Sequence, residues 1–418
     1  MRHLVWLALL ATWSQVVAAP ADDLLTLYTQ ARANNPTLQK ATAQTRLAGA
    51  NVDSARAPLL PQWGLSAVQQ RSGGVDANTA SSKITQSVVD LAARSNWKAA
   101  RAEAHAQDAN LLAAEQVLLA EVAVRYFQML TAESQLLTYM ANEAAFAELV
   151  RQSEVRVTEG LSASADVDQA RAFLGLAQGT TQQAKEALAD ARQALQQLVG
   201  RAPEQLKPLK KKWQPAMLPA RPEADAFADH PQLQAGDASI TAAKERISAA
   251  QAGHLPTMAL VLTSERTPRG NLPQTTSTNS AVGIQLTIPL IMGGAIVAQE
   301  RQALARRDAE IAQVEVTRRE IARNIKAQWE AAQGSIVQIR ATEAGAAAAE
   351  RALAAIRSGQ QIGTRSLTDV LNAIQTNGQA QLQLTQARHR HVVALLLLKQ
   401  STGRLTVDDL AAINTLLE

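Results

Sequence analysis

The sequence predicts a mainly α-helical protein with a minor β part, built as two tandem repeats, each a strand pair followed by a long helical hairpin. Three observations carry this reading. The chain spells one plan twice: Asn35-Pro36-Thr37-Leu38 leads to Leu60-Pro61, and His230-Pro231-Gln232-Leu233 leads to Leu255-Pro256, at an offset of 195 residues at both ends. Further on, Gly160-Leu161-Ser162-Ala163-Ser164-Ala165-Asp166-Val167 is echoed by Gly363-Thr364-Arg365-Ser366-Leu367-Thr368-Asp369-Val370, at an offset of 203. A repeat unit this long is a whole half-structure rather than a solenoid module. Next, no proline lies between Pro61 and Pro203 and none follows Pro289, which leaves two stretches free to be helix. Finally, ahead of each of these stretches the apolar period falls to two, the spacing of strands.

Taken in chain order, Arg2, the apolar run 4–11 and the small residues Val16-Val17-Ala18-Ala19 predict a cleaved secretory signal over residues 1–18, with cleavage after Ala18 or after Ala21. The run is too short for a helical membrane anchor, which needs roughly 20 apolar residues. The first repeat is assigned to 19–202: a helix, a strand pair at about 62–90, and a helical hairpin at about 95–199. Its strands are read at 63–70 and 83–89, with the polar stretch 72–82 as the loop between them. Along the hairpin, Leu112, Leu119, Val122, Tyr126, Met129 and Leu136 recur at steps of 3, 4 and 7. A first arm of some 60 residues would reach on the order of 90 Å, more than an ordinary globular domain accommodates. Gly160 ends that arm, and Asp166 stands in the first turns of the second, where a carboxylate suits the helix N-terminus.

Residues 203–222, rich in proline and lysine, are the linker. The second repeat, 223–403, holds a helix, a strand pair at about 257–290 and a hairpin at about 294–402. Here Ala259, Val261 and Thr263 alternate with Leu260, Leu262 and Ser264, and Val282, Ile284, Leu286 and Ile288 alternate with Gly283, Gln285 and Thr287. The stretch 267–280 is the expected loop. Ile311, Val314, Ile321, Ile325, Trp329, Ala332, Ile336 and Ile339 form the second helical stripe, Gly359 and Gly363 end it, and 404–418 is a C-terminal segment.

Composition excludes several classes. With no cysteine there are no disulfides, thiolate metal sites or lipid-modified N-terminal cysteine. The net charge of +4 is too small and dispersed for nucleic acid, and Lys210-Lys211-Lys212 is read as a solvated loop. His389 and His391, two apart on a helix, face different sides and do not make a joint metal site. No nucleophile elbow, phosphate-binding glycine loop or metal motif is present, so the sequence predicts no enzyme, no cofactor and no metal. Strands of roughly 8 to 10 residues with one apolar face fit an outer-membrane barrel. Four of them cannot close one, so a membrane reading requires several chains to pool their strands.

The residues Ala55-Arg56-Ala57-Pro58-Leu59-Leu60-Pro61, Leu255-Pro256-Thr257, Pro289-Leu290 followed by Gly293-Gly294, and Gly363-Thr364-Arg365 with Asp369-Val370-Leu371, duplicated in this order, resemble the TolC family of outer-membrane exit ducts over essentially the whole mature length. The resemblance implies a homotrimer in which three chains pool their strands into a twelve-strand β-barrel, continued by a twelve-arm α-helical barrel across the periplasm. It also implies passive conduction of proteins or drugs delivered by an inner-membrane pump, ABC or RND type, through a periplasmic adaptor protein, as in type I secretion and multidrug efflux. The duct would sit in outer-membrane lipid, and without the lipobox cysteine the chain falls in the unlipidated subclass.

On the same resemblance, the hairpin turns carrying Gly160, Leu161, Ser162, Gly363 and Thr364 are the periplasmic tips that meet the adaptor. Asp369 stands at the constriction as a carboxylate ring with a raised pKa, and Asn372 takes the place of a second ring, so three charges are expected instead of six. Arg365 is the closing latch with Asp166 as its partner, and Gln360 replaces an aromatic that aids closure elsewhere. Two bland readings stand beside these: Asp369 as a helix N-terminal charge and the latch residues as surface charges. Trp63, at a strand start, is read as a membrane-interface anchor, and Trp97 and Tyr126 as helix packing. The rival from another class is a periplasmic coiled-coil adaptor or structural protein that never enters the membrane.

Overall fold

Short polar caps decide where each helix begins. Asp23 accepts the Thr26 N–H (2.8 Å) to open α1 (Leu24–Asn34), and Asn35 accepts the Leu38 N–H (3.0 Å) ahead of Pro36 to open α2 (Pro36–Arg56). In the second repeat His230 takes the role of Asn35: its Nδ1 accepts the Gln232 N–H (3.2 Å) before Pro231 starts α5 (Pro231–Ala252). Burial holds His230 below the usual histidine range, in keeping with the neutral ring that this acceptor role needs. Asp90 accepts the Ala93 N–H (2.8 Å) and starts the 68-residue α3 (Leu91–Thr158), which runs about 100 Å at 1.5 Å per residue. It folds back into α4 (Ser164–Val199). The second hairpin is α6 (Ala295–Gln361) and α7 (Leu367–Ser401), and α8 (Val407–Asn414) closes the chain.

The computed structural model describes residues 22–72, 75–210, 215, 218, 227, 229–268 and 276–418. The expected signal segment 1–18, much of the linker beyond residue 210, and the two strand-loop tips lie outside them. The first arm starts at Leu91, four residues before the 95 read from sequence, because Asp90 supplies its cap there, while the first arm of the second hairpin starts at Ala295, against about 294.

β1 (Gln62–Ser72), β2 (Val75–Val89), β3 (Thr257–Pro268) and β4 (Thr276–Thr287) form one antiparallel sheet in the order β1-β2-β3-β4, which leaves β1 and β4 as edges. The stretches expected as loops, 72–82 and 267–280, are largely strand: β1 and β2 pair from Gln62↔Thr85 to Ser72↔Val75, and β3 and β4 from Thr257↔Thr287 to Pro268↔Thr276. The low apolarity that suggested loops instead reflects cross-strand hydroxyl pairs, Ser66 with Ser81 (2.8 Å) and Ser264 with Ser280 (3.0 Å), which suit a ladder as well as a hydrophobic pair does.

Each hairpin packs along its own length, while α2 lies on α3 and α5 is wedged between α3 and α6. Where α4 ends, Gly200 (φ +90°) abuts Asn34, whose Nδ2 donates to the Val199 carbonyl (3.3 Å), and α2 begins. The second repeat builds the same joint: Gly403 (φ +70°) abuts His230 and Pro231, where α5 begins. The main core lies at this level. Leu24, Leu27 and Tyr28 of α1, Leu119, Val122, Tyr126 and Met129 of α3, Leu195 of α4, Leu396 of α7 and Leu410 of α8 are buried together. Residues 206–209 and the C-terminus seal it through the bridges Asp22↔Leu206 and Leu209↔Leu417. Tyr126 donates to the Lys207 carbonyl (2.7 Å), and burial pushes its phenol far above the ordinary range. Leu112 and Ile311, placed in the two stripes by periodicity, are exposed in the single chain, since those faces have no neighbour within it.

His389 and His391 clamp α7 between two partners. Thr131 of α3 donates its hydroxyl to the Phe127 carbonyl (2.7 Å), so the 2.8 Å contact with His389 is an Nδ1–H donating to Thr131 Oγ1. Ser335 of α6 donates to the Ala332 carbonyl (2.6 Å) and likewise accepts from His391 Nδ1–H (2.7 Å). Two residues apart, the histidines point to different helices, as their spacing predicts.

Two outcomes follow from these packing relations. Gly403→Ala meets both the left-handed backbone, about 1 to 2 kcal/mol, and the Pro231 ring, whose Cδ lies 2.7 Å from the added Cβ. Gly160→Ala (φ +72°) meets only the backbone term, with open space around it. Thermal melts in detergent should show the larger loss for Gly403→Ala. For His389, burial and then Arg388 hold the pKa at about 4, against an ordinary 6.5. The unfolded chain therefore binds the extra proton first, and stability is lost as pH falls from about 6.5 towards about 4. Denaturation at pH 7 and pH 5 should show this loss, and His389→Gln should flatten it.

Candidate functional site

The two hairpin tips are built alike. At the end of α3, Gly160 donates to the Val157 carbonyl (3.0 Å) and Leu161 to that of Arg156 (2.8 Å). At the end of α6, Gly363 (φ +81°) donates to the Gln360 carbonyl (3.1 Å) and Thr364 to that of Gly359 (2.8 Å). Each is the paired closure that a left-handed glycine permits at a helix C-terminus. The closures turn Leu161 and Ile362 outward into solvent, and Thr364 Oγ1 adds a bond to the Gly359 carbonyl (3.1 Å).

Asp369 and Ser366 form a capping box at the start of α7: Asp369 Oδ2 accepts the Ser366 N–H (3.0 Å) and Ser366 Oγ accepts the Asp369 N–H (3.1 Å). The backbone N–H of Ser366, its hydroxyl and the nearby Arg365 hold the Asp369 carboxyl below the ordinary carboxylate range. Within one chain the cap bonds favour the charged form; the raised pKa is expected of a ring of three such groups, which a single chain does not contain. Asn372 lies one turn on and is exposed, while Val370, Leu371, Ala373 and Ile374 face the protein. Asp369 and Asn372 thus share the outward side of α7.

Asp166 is not joined to Arg365 within the chain. Its carboxylate accepts a hydrogen bond from the Ser162 hydroxyl on its own tip, and no ion pair links it to Arg365 among the described residues. Arg365 instead lies over Gly359, where an added Cβ would meet its Cγ at 2.7 Å. Gln360 is half-buried in the last turn of α6. The contact that does join the two tips is one the sequence reading missed, Thr368 Oγ1 donating to Gln169 Oε1 (2.9 Å). Behind it Phe146 of α3, Phe173 of α4, and Leu371 and Ile374 of α7 form a small core, with the two rings edge to face at 5.7 Å. Its sequence signal was slight: two of the four phenylalanines of the chain lie near the ends of the first hairpin.

At the opposite end of the long helices lies the sheet. Register places Trp63, Ile84, Leu262 and Val282 side by side across the four strands, with Leu65, Leu260, Ile284 and Leu286 on the same face. Among the described residues nothing covers that face: Trp63, Leu65 and Ile284 are each more than 70 % exposed. The reverse face carries Gly64, Ser66, Lys83, Thr85, Thr263 and Gln285. Trp63 donates Nε1–H to Ser82 Oγ (2.9 Å), which ties the indole to the second strand. One apolar and one polar side on uniformly long strands is the pattern of a sheet between lipid and water. Among the described residues no helix is long and apolar enough to cross a membrane, and no group of three or more His, Cys, Asp or Glu stands ready for a metal ion.

A sheet of this kind on a hairpin about 100 Å long defines an outer-membrane channel architecture. The profile of the family described as "Outer membrane efflux protein" matches residues 27–201 and 224–404, and the chain belongs to that family. It is 30% identical over 424 residues to the outer membrane protein TolC of Escherichia coli K12, covering 95% of this chain and 85% of that one. It is 26% identical over 344 residues to the alkaline protease secretion protein AprF of Pseudomonas aeruginosa, covering 80% and 71%. In fold it matches the crystal structure of the outer membrane protein VceC from Vibrio cholerae with a TM-score of 0.78 at 23% identity, over 91% and 96% of the two chains. The family is one of transport channels, which sets aside the periplasmic adaptor reading.

Ser366→Ala removes the hydroxyl and loosens the backbone bond that Asp369 accepts. The Asp369 titration, followed by carbon-13 NMR of labelled aspartate, should move up towards the ordinary carboxylate value. Because the native shift is downward, the stability tied to this box is present above that range and is lost as pH falls through the folded-state value. The variant should therefore be less sensitive to acid in this step.

Proposed function

We propose that three copies of this chain assemble into an exit duct that passively conducts substrates from an inner-membrane pump, through a periplasmic adaptor, across the outer membrane. The observation that carries the reading is the four-stranded sheet with two unpaired edges and an uncovered apolar face. In hydrocarbon every backbone N–H and C=O needs a partner, so the sheet enters a membrane only when neighbouring copies pair its edges. Three copies give twelve strands, and their long hairpins continue the wall as a helical barrel. The segment 1–18 is the export signal in this reading, and Trp63 anchors the barrel at the lipid interface.

The hairpin tips, with Gly160, Leu161, Ser162, Gly363 and Thr364, are the docking points for the adaptor. Asp369, with Asn372 behind it, forms one ring of three carboxylates that favours cations. Arg365 holds the tip closed. Since Asp166 is engaged by Ser162 in its own chain, the acceptor for Arg365 is more readily supplied by a neighbouring copy, and Gln360 makes a looser seat than an aromatic would. Cargo of both protein and drug type suits the relatives, one named for alkaline protease secretion within a family named for efflux.

Planar-bilayer recording of the detergent-extracted protein tests the reading. Wild type should give discrete, small, cation-preferring channels, Arg365→Ala should widen them, and Asp369→Ala should abolish the preference. Folded trimers that conduct nothing would sink the proposal.

A further inference from the structure

The repeat inside one chain specifies how two chains meet. The anchors at the strand starts make Gln62 the counterpart of Thr257, an offset of 195. The ladders pair Gln62 with Thr85 and Thr257 with Thr287, so Thr85 is the counterpart of Thr287, an offset of 202. Thus β1 corresponds to β3 and β2 to β4. The one strand seam between repeats within the sheet is β2 against β3, and the seam still open is β4 against the β1 of another copy. Pairing β4 with β4, or β1 with β1, would be antiparallel about a two-fold axis and would send the helical hairpins to opposite sides of the sheet. Only β4 with β1 keeps the ladder antiparallel and all hairpins on one side, and it is head-to-tail, the kind of contact that closes a ring.

We infer that β4 of one copy and β1 of the next pair in the register that β2 and β3 show within the chain, with the exposed segment Leu290–Met292 as the seat for the tryptophan of the neighbour. This rests on the trimeric reading above. Within the chain the pairs are Lys83↔Thr263, Thr85↔Val261 and Ser87↔Ala259, followed by a register shift to Val89↔Met258. Carried over by the two offsets, they become Gln285 opposite Val68 of the partner subunit, Thr287 opposite Ser66 of the partner subunit, Pro289 opposite Gly64 of the partner subunit, and Ile291 opposite Trp63 of the partner subunit.

Three features of the residues agree with this register without having been used to derive it. Pro289 falls where β2 breaks its ladder, a bulge position that tolerates a residue lacking an N–H. It also faces a glycine, which has open space where a Cβ would stand. The segment after it is the most exposed apolar stretch described, with Leu290 at 87% and Ile291 at 90%, and the register places a large indole, itself 71% exposed, against it. A slip of one residue would turn the apolar face of one strand against the polar face of the next.

The chain has no cysteine, so introduced pairs report contacts cleanly. Purified detergent-extracted protein carrying Thr287→Cys with Ser66→Cys, or Ile291→Cys with Trp63→Cys, should oxidise to covalent trimers that survive boiling without reductant. Thr287→Cys with Val68→Cys, and each single variant, should leave monomers. Cross-linking that favours the shifted pair overturns the register. Trimers by light scattering that fail to cross-link at Ile291 and Trp63 would mean that lipid, not a second copy, covers Leu290–Met292. Monomers by light scattering in every variant and in wild type would sink the trimeric reading itself, a result separate from the other two.

Discussion

The two open edges of a four-stranded sheet constrain the rest of this molecule. Each edge presents a row of backbone donors and acceptors that water would satisfy and lipid cannot, and the outward face of the same sheet is apolar enough to belong in lipid. The conflict is resolved only between chains. In the proposed trimer this accounts for the duplicated plan, in which the second half repeats the first so that a seam between copies would be chemically like the seam within one. It accounts equally for the exposed apolar residues at the base of the sheet and along the long helices, which lack neighbours in a single chain.

The helices answer a second requirement, length without a wide hydrophobic core. Arms of 68 and 67 residues are held by narrow seams of alanine and spaced large side chains, and the bulky residues concentrate at two levels. One is the joint where α4 meets α2 and α7 meets α5, each turned by a glycine with positive φ. The other is the tip, where Phe146, Phe173, Leu371 and Ile374 hold the hairpins together. Between them, the buried histidine clamps and the close approach of Gly378 to Asn142 keep α7 against its neighbours. The tip core and the bond between Thr368 and Gln169 link the first and second hairpins within one chain, so any opening at the tip has to break or carry along these contacts.

The charges at the tip show why environment decides their behaviour. Asp369 alone is a capped, solvated carboxylate held charged by its own helix start. A crowded ring would oppose that effect, because like charges in a narrow mouth favour protonation. In the proposed trimer the capping box would act to keep such a ring ionised.

Much of this was legible in the sequence for definite physical reasons. Proline cannot enter a helix interior, so its absence outlined the hairpins; glycine alone takes the left-handed turn cheaply, so Gly160 and Gly363 marked the tips; alternation marked the sheet and its apolar face. The sequence by itself determined the duplicated order of elements and that four strands are too few to close a barrel. Only the tertiary structure decided how far the strands run, because Ser and Thr serve a ladder or a loop equally well and the choice lies in what stands opposite. It alone decided that Asp166 turns to Ser162 and that Thr368 finds Gln169, 199 residues away, since such contacts depend on how whole helices are laid side by side and leave no local pattern.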